Sequence, residues 1–277
     1  MKQRQLRAVN RGSAASEKLE IVRLLRTAAY RRRMDEVWSD FVALAAITFA
    51  QLDRRSYAER EVEYLRIVRR YTRDEFEALV QAFIRLPLAF EANVGPGGVP
   101  IHFADILGEL FMALDLGNSA MGQFFTPNEV SRLVAAMTID RESIAGHIAR
   151  NGFVSVHEPA MGGGAMLIQF AAIMAEVGFN YQKQMVAVGV DLSLTAVHMC
   201  YIQMALLHIP AVLICGNSLT LETRSVWYTP AYIIGGWASR FPVSPHEPMR
   251  EVAQRARPRH EIEQEALALV ADQYFAV

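Results

Sequence analysis

The chain has little that would fix it outside the cell or in a membrane. Its two cysteines, Cys200 and Cys215, do not make a disulfide framework, as expected of a reducing, cytoplasmic setting. No apolar run approaches the roughly 18 residues a spanning helix needs; Phe41 to Ala50 is too short. The basic N-terminus lacks the apolar segment of a signal peptide behind it. The seven histidines are scattered, with no metal-ligand spacing, so no metal is expected; His157 and His208 read as core or strand-end residues. Internal repeats and low-complexity stretches are missing as well.

What is present is a chain that can bury a core. It is 52% hydrophobic over 277 residues, room for one sizeable domain and an accessory one. The net charge of −1 hides an asymmetry. Residues 1–73 carry 17 Lys and Arg against 9 Asp and Glu; the remainder carries 11 against 20. The basic clusters Arg31-Arg32-Arg33, Arg54-Arg55 and Arg69-Arg70 either contact phosphates, with strong salt dependence, or lie on solvated helix faces and pair with Glu59, Glu61 and Glu63.

Pattern and punctuation divide the chain. Residues 1–16 read as a disordered basic arm. Residues 17–93 read as three or four amphipathic helices, with Leu19, Val22 and Leu25 and then Phe41, Leu44 and Ala45 at helical spacing. Val94 to Pro100 is a Gly/Pro linker. A helical segment follows over 101–150, then an α/β part over 151–237. Four prolines break up the start of the tail, 238–277, and Ile262, Ala266, Leu269, Val270 and Gln273 mark an amphipathic helix over His260 to Phe275.

The chemistry begins at Glu158-Pro159-Ala160-Met161-Gly162-Gly163-Gly164. An apolar run, Phe153 to Val156, precedes it and an apolar helical pattern, Ala165 to Val177, follows. Strand, glycine turn and helix together make a nucleotide-cofactor loop: glycines let the backbone turn sharply, and the helix start offers N–H groups. A glycine turn alone is a weak sign. A second apolar run, Met185 to Val190, ends in Asp191, where a ribose diol would be held, although Asp191 also suits a helix N-cap before Leu192-Ser193-Leu194-Thr195. A third run, Ala211 to Cys215, ends in Gly216-Asn217-Ser218-Leu219. The expected fold class is α/β: a Rossmann-like sheet, truncated after its first strands, behind an all-helical N-terminal part.

These segments, with two upstream, resemble the S-adenosylmethionine-dependent DNA adenine-N6 methyltransferases, most closely the modification subunit of type I restriction-modification systems. Gly122-Gln123-Phe124-Phe125-Thr126-Pro127 resembles the family's G-Q/E-F-Y/F-T-P. Phe103-Ala104-Asp105-Ile106-Leu107-Gly108-Glu109 resembles the helix before it. Glu158 to Gly164 resembles D/E-P-A-C-G-S/T-G, with Met161 for Cys and Gly163 for Ser or Thr. Val188 to Asp191, with Thr195-Ala196 and Met204 to His208, resembles the second strand and its helix. Gly216 to Leu219 resembles G-D-S/T-L, with Asn for Asp.

The resemblance implies S-adenosylmethionine as cofactor. Phe125, Thr126 and Pro127 and the Glu158-Pro159-Ala160 turn would surround its methionine end, and Gly162 and Gly164 would allow close approach. Asp191, with Leu192 beside it, would hold the ribose. Asn217, with Ser218, would face the adenine, its carbonyl oxygen accepting more weakly than the family's carboxylate. DNA and a specificity subunit are the implied partners.

The catalytic segment departs from the family. In place of N-P-P-Y/F the chain offers Thr229-Pro230-Ala231-Tyr232 after an apolar stretch, Ser225 to Tyr228, read as the fourth strand. The Asn oxygen and Pro carbonyl of the motif accept the two hydrogens of the adenine amino group, and the aromatic ring stacks on the extruded base. Tyr232 and the Pro230 carbonyl keep two of those functions. Losing the Asn acceptor costs on the order of 3 kcal/mol, about a hundredfold in rate. Two functions follow: a working adenine-N6 methyltransferase, or a catalytically inactive homologue that regulates or interacts within a restriction-modification or mobile-element setting. A dinucleotide oxidoreductase fits less well, because the loop lacks G-x-G-x-x-G spacing.

Overall fold

A computed structural model describes residues 2–91, 103–117, 128–138 and 140–241. The N-terminal part is helical: α1 (Lys2–Ala28), α2 (Met34–Phe49), a 3-10 turn (Ala50–Leu52), α3 (Tyr57–Val68) and α4 (Arg73–Glu91). Almost every residue of α2 from Val37 to Ile47 is buried, as a helix apolar on all sides must be. Its one buried charge, Asp40, accepts from the Tyr71 hydroxyl at 2.8 Å and from Arg70. The sequence suggests an irregular arm over residues 1–16; the chain instead enters α1 at Lys2. Lys, Gln, Arg, Leu and Ala fill that stretch and are strong helix formers. The helix runs on without a break into the packed residues Ile21, Leu24 and Leu25.

Three further helices, α5 (Ile106–Ala113), α6 (Asn128–Thr138) and α7 (Arg141–Asn151), lead into the α/β part. It runs β1 (Val154–Glu158), α8 (Ala165–Glu176), α9 (Tyr181–Gln184), β2 (Met185–Asp191), α10 (Leu194–Leu206), β3 (Ala211–Asn217), β4 (Glu222–Tyr228), α11 (Pro230–Ile234) and α12 (Trp237–Arg240). The sheet order is β1-β2-β3-β4, with the first three strands parallel. β2 and β3 are buried along their length except at the C-terminal tip, the near-continuous apolar run of a strand covered on both faces. The fold is thus α/β, with a Rossmann-like parallel sheet behind a helical N-terminal part.

Alternation along the strands feeds two cores. Met185, Ala187, Ala211, Leu213 and Cys215 join a cluster with α8, α10, α2 and the rest of the N-terminal helices. Val186, Val188, Val190, Val212 and Ile214 face the other way, with Tyr228, Tyr232 and Trp237. The N-terminal helices and the sheet therefore share one continuous core. Arg60 of α3 fastens them: buried, it pairs with Asp53 at 3.0 Å, donates to the Val226 carbonyl at 3.2 Å and lies 4.0 Å from the centre of the Trp227 ring. Other arginines of the basic N-terminal part are also paired, Arg66 with Glu63 and Arg23 with Glu20 among them.

The fourth strand differs from its sequence-based reading. β4 does form, but it runs antiparallel to β3, with Val212 opposite Tyr228 and Asn217 opposite Glu222. Only residues 218–221 separate the two strands. That is a hairpin length; a parallel crossover takes about a dozen residues or more. The C-terminal end of β4 therefore lies at the N-terminal end of β3. The amphipathic helix expected in the tail lies outside the described residues.

Candidate functional site

The C-terminal ends of β1, β2 and β3 lie side by side in the sheet, with the glycine loop following β1, the place where a doubly wound sheet has its ligand crevice. Gly162 and Gly164 have φ of 52° and 95°, values that favour glycine. A Cβ on Gly164 would stand 2.7 Å from Cys200 Sγ, so α10 also requires glycine there. Four hydrogen bonds fix the loop. Met161 N donates to the Val190 carbonyl at 3.0 Å, Gly164 N to the Met161 carbonyl at 2.8 Å and Gly162 N to Asp191 Oδ2 at 2.9 Å. Gln203 of α10 donates to the Gly163 carbonyl at 2.7 Å. Met161 is accommodated by Gly189 of β2, where a Cβ would come within 2.3 Å of its sulfur. The loop ends at the N-terminus of α8, whose first N–H groups have no partner within the helix.

Asp191 is half-buried at the tip of β2. Besides Gly162 it accepts from Ser193 N at 2.8 Å, through Oδ1. The cap of α10 is Ser193, whose hydroxyl accepts from Ala196 N. Each Asp191 oxygen keeps a further lone pair, so two acceptors remain for a diol. Glu158, at the tip of β1, accepts from Ala160 N at 3.2 Å. Burial raises its carboxyl above the usual carboxylate range, the Ala160 N–H opposes this, and the Asp191 charge adds to it.

The third tip differs from expectation in one respect. Asn217 Oδ1 accepts from Leu219 N at 2.9 Å and Thr220 N at 3.2 Å, so the turn into β4 uses both its lone pairs. What Asn217 can offer a ligand is its NH2, a donor. Leu192 exposes its side chain beside the crevice, and its carbonyl accepts from Arg224 of β4 at 2.7 Å. Ser218 follows Asn217 in the same turn. Sequence reasoning missed Arg224, Ser193 as the cap, and Gln203. Gln203 carried a signal, as a polar residue inside an apolar helix, and so did Ser193, a preferred N-cap residue just before that helix.

Glu158, Pro159, Ala160, Gly162, Gly164, Asp191, Leu192, Asn217 and Ser218 all lie at or just beyond the C-terminal ends of these three adjacent parallel strands. Phe125, Thr126 and Pro127 lie outside the described residues. Thr229, Pro230 and Tyr232 do not join it. β3 runs from Ala211 beside Thr229 to Asn217 at the crevice, six steps of about 3.3 Å, or about 20 Å. Thr229 is fully buried and ties the start of β3 to α11: its hydroxyl donates to the Ile209 carbonyl at 3.0 Å and accepts from Ala211 N at 2.9 Å. Pro230 opens α11, where a missing N–H costs nothing. Tyr232 is buried in the second core and donates to the Phe241 carbonyl at 2.9 Å. Because β4 is antiparallel to β3, the segment lies at the end of β3 opposite Asn217. Among the described residues no cluster of His, Cys, Asp and Glu has the form of a metal site, and no helix is long and apolar enough to cross a membrane.

Residues 105–233 match the model of the N-6 DNA Methylase family. Among solved structures, the chain is similar to the type I restriction-modification system methyltransferase subunit from Streptococcus thermophilus. The identity is 14%, over 76% of this chain and 56% of that one, with a TM-score of 0.31. The chain therefore spans little more than half the length of that subunit. No curated protein matches it.

Proposed function

Residues 105–233 match the model of the N-6 DNA Methylase family, and from that match we propose that the protein binds S-adenosylmethionine at the ends of β1, β2 and β3. The observation that carries this reading is the joining of a glycine loop with two left-handed glycines to an acidic strand tip, by the bond from Gly162 to Asp191. A Cβ-free loop against α10, a helix N-terminus and two carboxylates suit a ligand with a ribose diol and a cationic methionine end. Asp191 holds the ribose hydroxyls through its remaining lone pairs. Leu192 covers one face of the adenine, and Asn217 donates to a ring nitrogen rather than accepting from the amino group. Glu158 faces the cationic end. Bound there, the cofactor supplies a sulfonium methyl group to a nucleophilic nitrogen.

The protein works in the cytoplasm, with DNA and a specificity-type subunit as partners. Its Thr229-Tyr232 segment does not activate the adenine amino group, being about 20 Å from the crevice. The chain by itself is then a cofactor-binding homologue that regulates or interacts. The family match favours a second reading, a working adenine-N6 methyltransferase whose amino acceptors come from outside the described residues or from a partner chain. Transfer of labelled methyl groups to adenine-containing DNA by the isolated chain separates the first reading from a methyltransferase that carries its own amino acceptors. The first reading expects cofactor binding without transfer. Adenine-N6 labelling by the isolated chain overturns it.

A further inference from the structure

A buried polar bridge runs from the segment before α5 to the glycine loop. Gln203, fully buried in α10, uses every group of its amide. Its nitrogen donates to Asp105 Oδ1 and to the Gly163 carbonyl, both at 2.7 Å, and its oxygen accepts from Leu107 N at 3.2 Å. Asp105 in turn caps α5, accepting from Gly108 N at 2.8 Å. Its carboxylate lies so close over Gly108 that a Cβ there would come within 2.2 Å. Burial raises the Asp105 carboxyl above the usual range, the bonds from Gln203 and Gly108 opposing it and Glu109 adding to it. The bridge thus adds a polar link among three stretches that also meet in the apolar core: residues 105–108, the middle of α10 and residue 163.

Most of α10 is apolar, so packing alone does not ask for glutamine at 203. Its amide brings two hydrogen atoms and an acceptor oxygen that must find partners. They find them in the loop carbonyl and in the cap of α5. The Gly163 carbonyl sits between the two left-handed glycines, and the bond to Gln203 sets which way that peptide faces. The same peptide carries the Gly164 N–H, which donates to the Met161 carbonyl at 2.8 Å and closes the turn that leads into α8. We infer that Gln203 is a positioning residue for the glycine loop, held in its working orientation by Asp105, and that the α5 segment governs cofactor affinity through this bridge. The inference deepens the cofactor reading above and rests on it.

The test uses the full chain with Gln203→Met, Asp105→Ala, their double variant and Asp105→Asn. Methionine keeps the length of glutamine without its donors. Asparagine keeps the Oδ1 that accepts from both Gln203 and Gly108. S-adenosylmethionine affinity is read by calorimetry, and amide hydrogen exchange over residues 159–168 is read without ligand. Gln203→Met and Asp105→Ala should each weaken binding about tenfold and speed exchange in the loop more than elsewhere. The double variant should lose little more than either single one, and Asp105→Asn should bind like the wild type. Wild-type affinity and loop exchange in a folded Gln203→Met overturn the inference. So do fully additive losses, or an Asp105→Asn as weak as Asp105→Ala. If Gln203→Met does not fold, the Asp105 pair and its exchange pattern decide. A wild type that does not bind the cofactor overturns the cofactor reading, and loop exchange alone then decides whether the bridge positions the loop.

Discussion

Gly162 donates its backbone N–H to the Asp191 carboxylate at 2.9 Å, so the glycine loop and the tip of β2 are one unit. The acidic residue does two tasks. It orders the loop and the start of α10, through Gly162 and Ser193, and it leaves lone pairs toward the crevice. A change at Asp191 therefore acts on the loop as well as on any ribose.

Gly164→Ala should destabilise the protein by about 1–3 kcal/mol. The new methyl group would need a left-handed φ and would stand 2.7 Å from Cys200 Sγ. Thermal or urea unfolding measures the loss. A variant as stable as the wild type would show that the loop does not pack on α10 as described.

Restoring the family's motif should not restore chemistry. Thr229→Asn with Ala231→Pro puts a larger side chain into a fully buried cap about 20 Å from the crevice. The expected result is unchanged methyl transfer and a stability loss on the order of 1–2 kcal/mol. A rise in transfer would mean that the segment meets the base after all.

Glu158 should make both stability and binding depend on pH, in opposite directions. Its folded-state carboxyl is raised, chiefly by burial. The stability linked to its proton is fully present below the usual carboxylate range and is lost as pH rises through the raised value. A cationic cofactor selects the ionised form, so affinity should fall as pH drops through that same value. Calorimetry across pH, beside Glu158→Gln, checks this. The variant should flatten the profile, and an equally steep one would remove Glu158 from the site.

Much of this was legible in the sequence, and the part that was not has identifiable causes. β1, β2 and β3, α8 and α10 follow from apolar runs and helical spacing, and the glycine loop from its punctuation. Asp191 was readable from its place at a strand tip. A strand's direction, however, is not written in its own residues. The short link over 218–221 was the available sign of a hairpin. It was masked because the left-handed residue in that turn is Leu221, with φ of 62°, rather than the glycine or asparagine that usually marks one. The Gln203 bridge was hidden for another reason: its partners are distant in sequence, and only the packing of α10 under the loop brings them together. The place of Asn217 at a strand tip could be named but not its orientation, which depends on the backbone turn it caps.

The most direct test of the account is calorimetric titration of the folded chain with S-adenosylmethionine, beside Asp191→Ala. The account predicts binding in the micromolar range for the wild type and a loss of at least about tenfold in the variant, which remains folded with a lowered melting temperature because Gly162 N and Ser193 N lose their acceptor. No binding by a folded wild type, or equal binding by the variant, would contradict it.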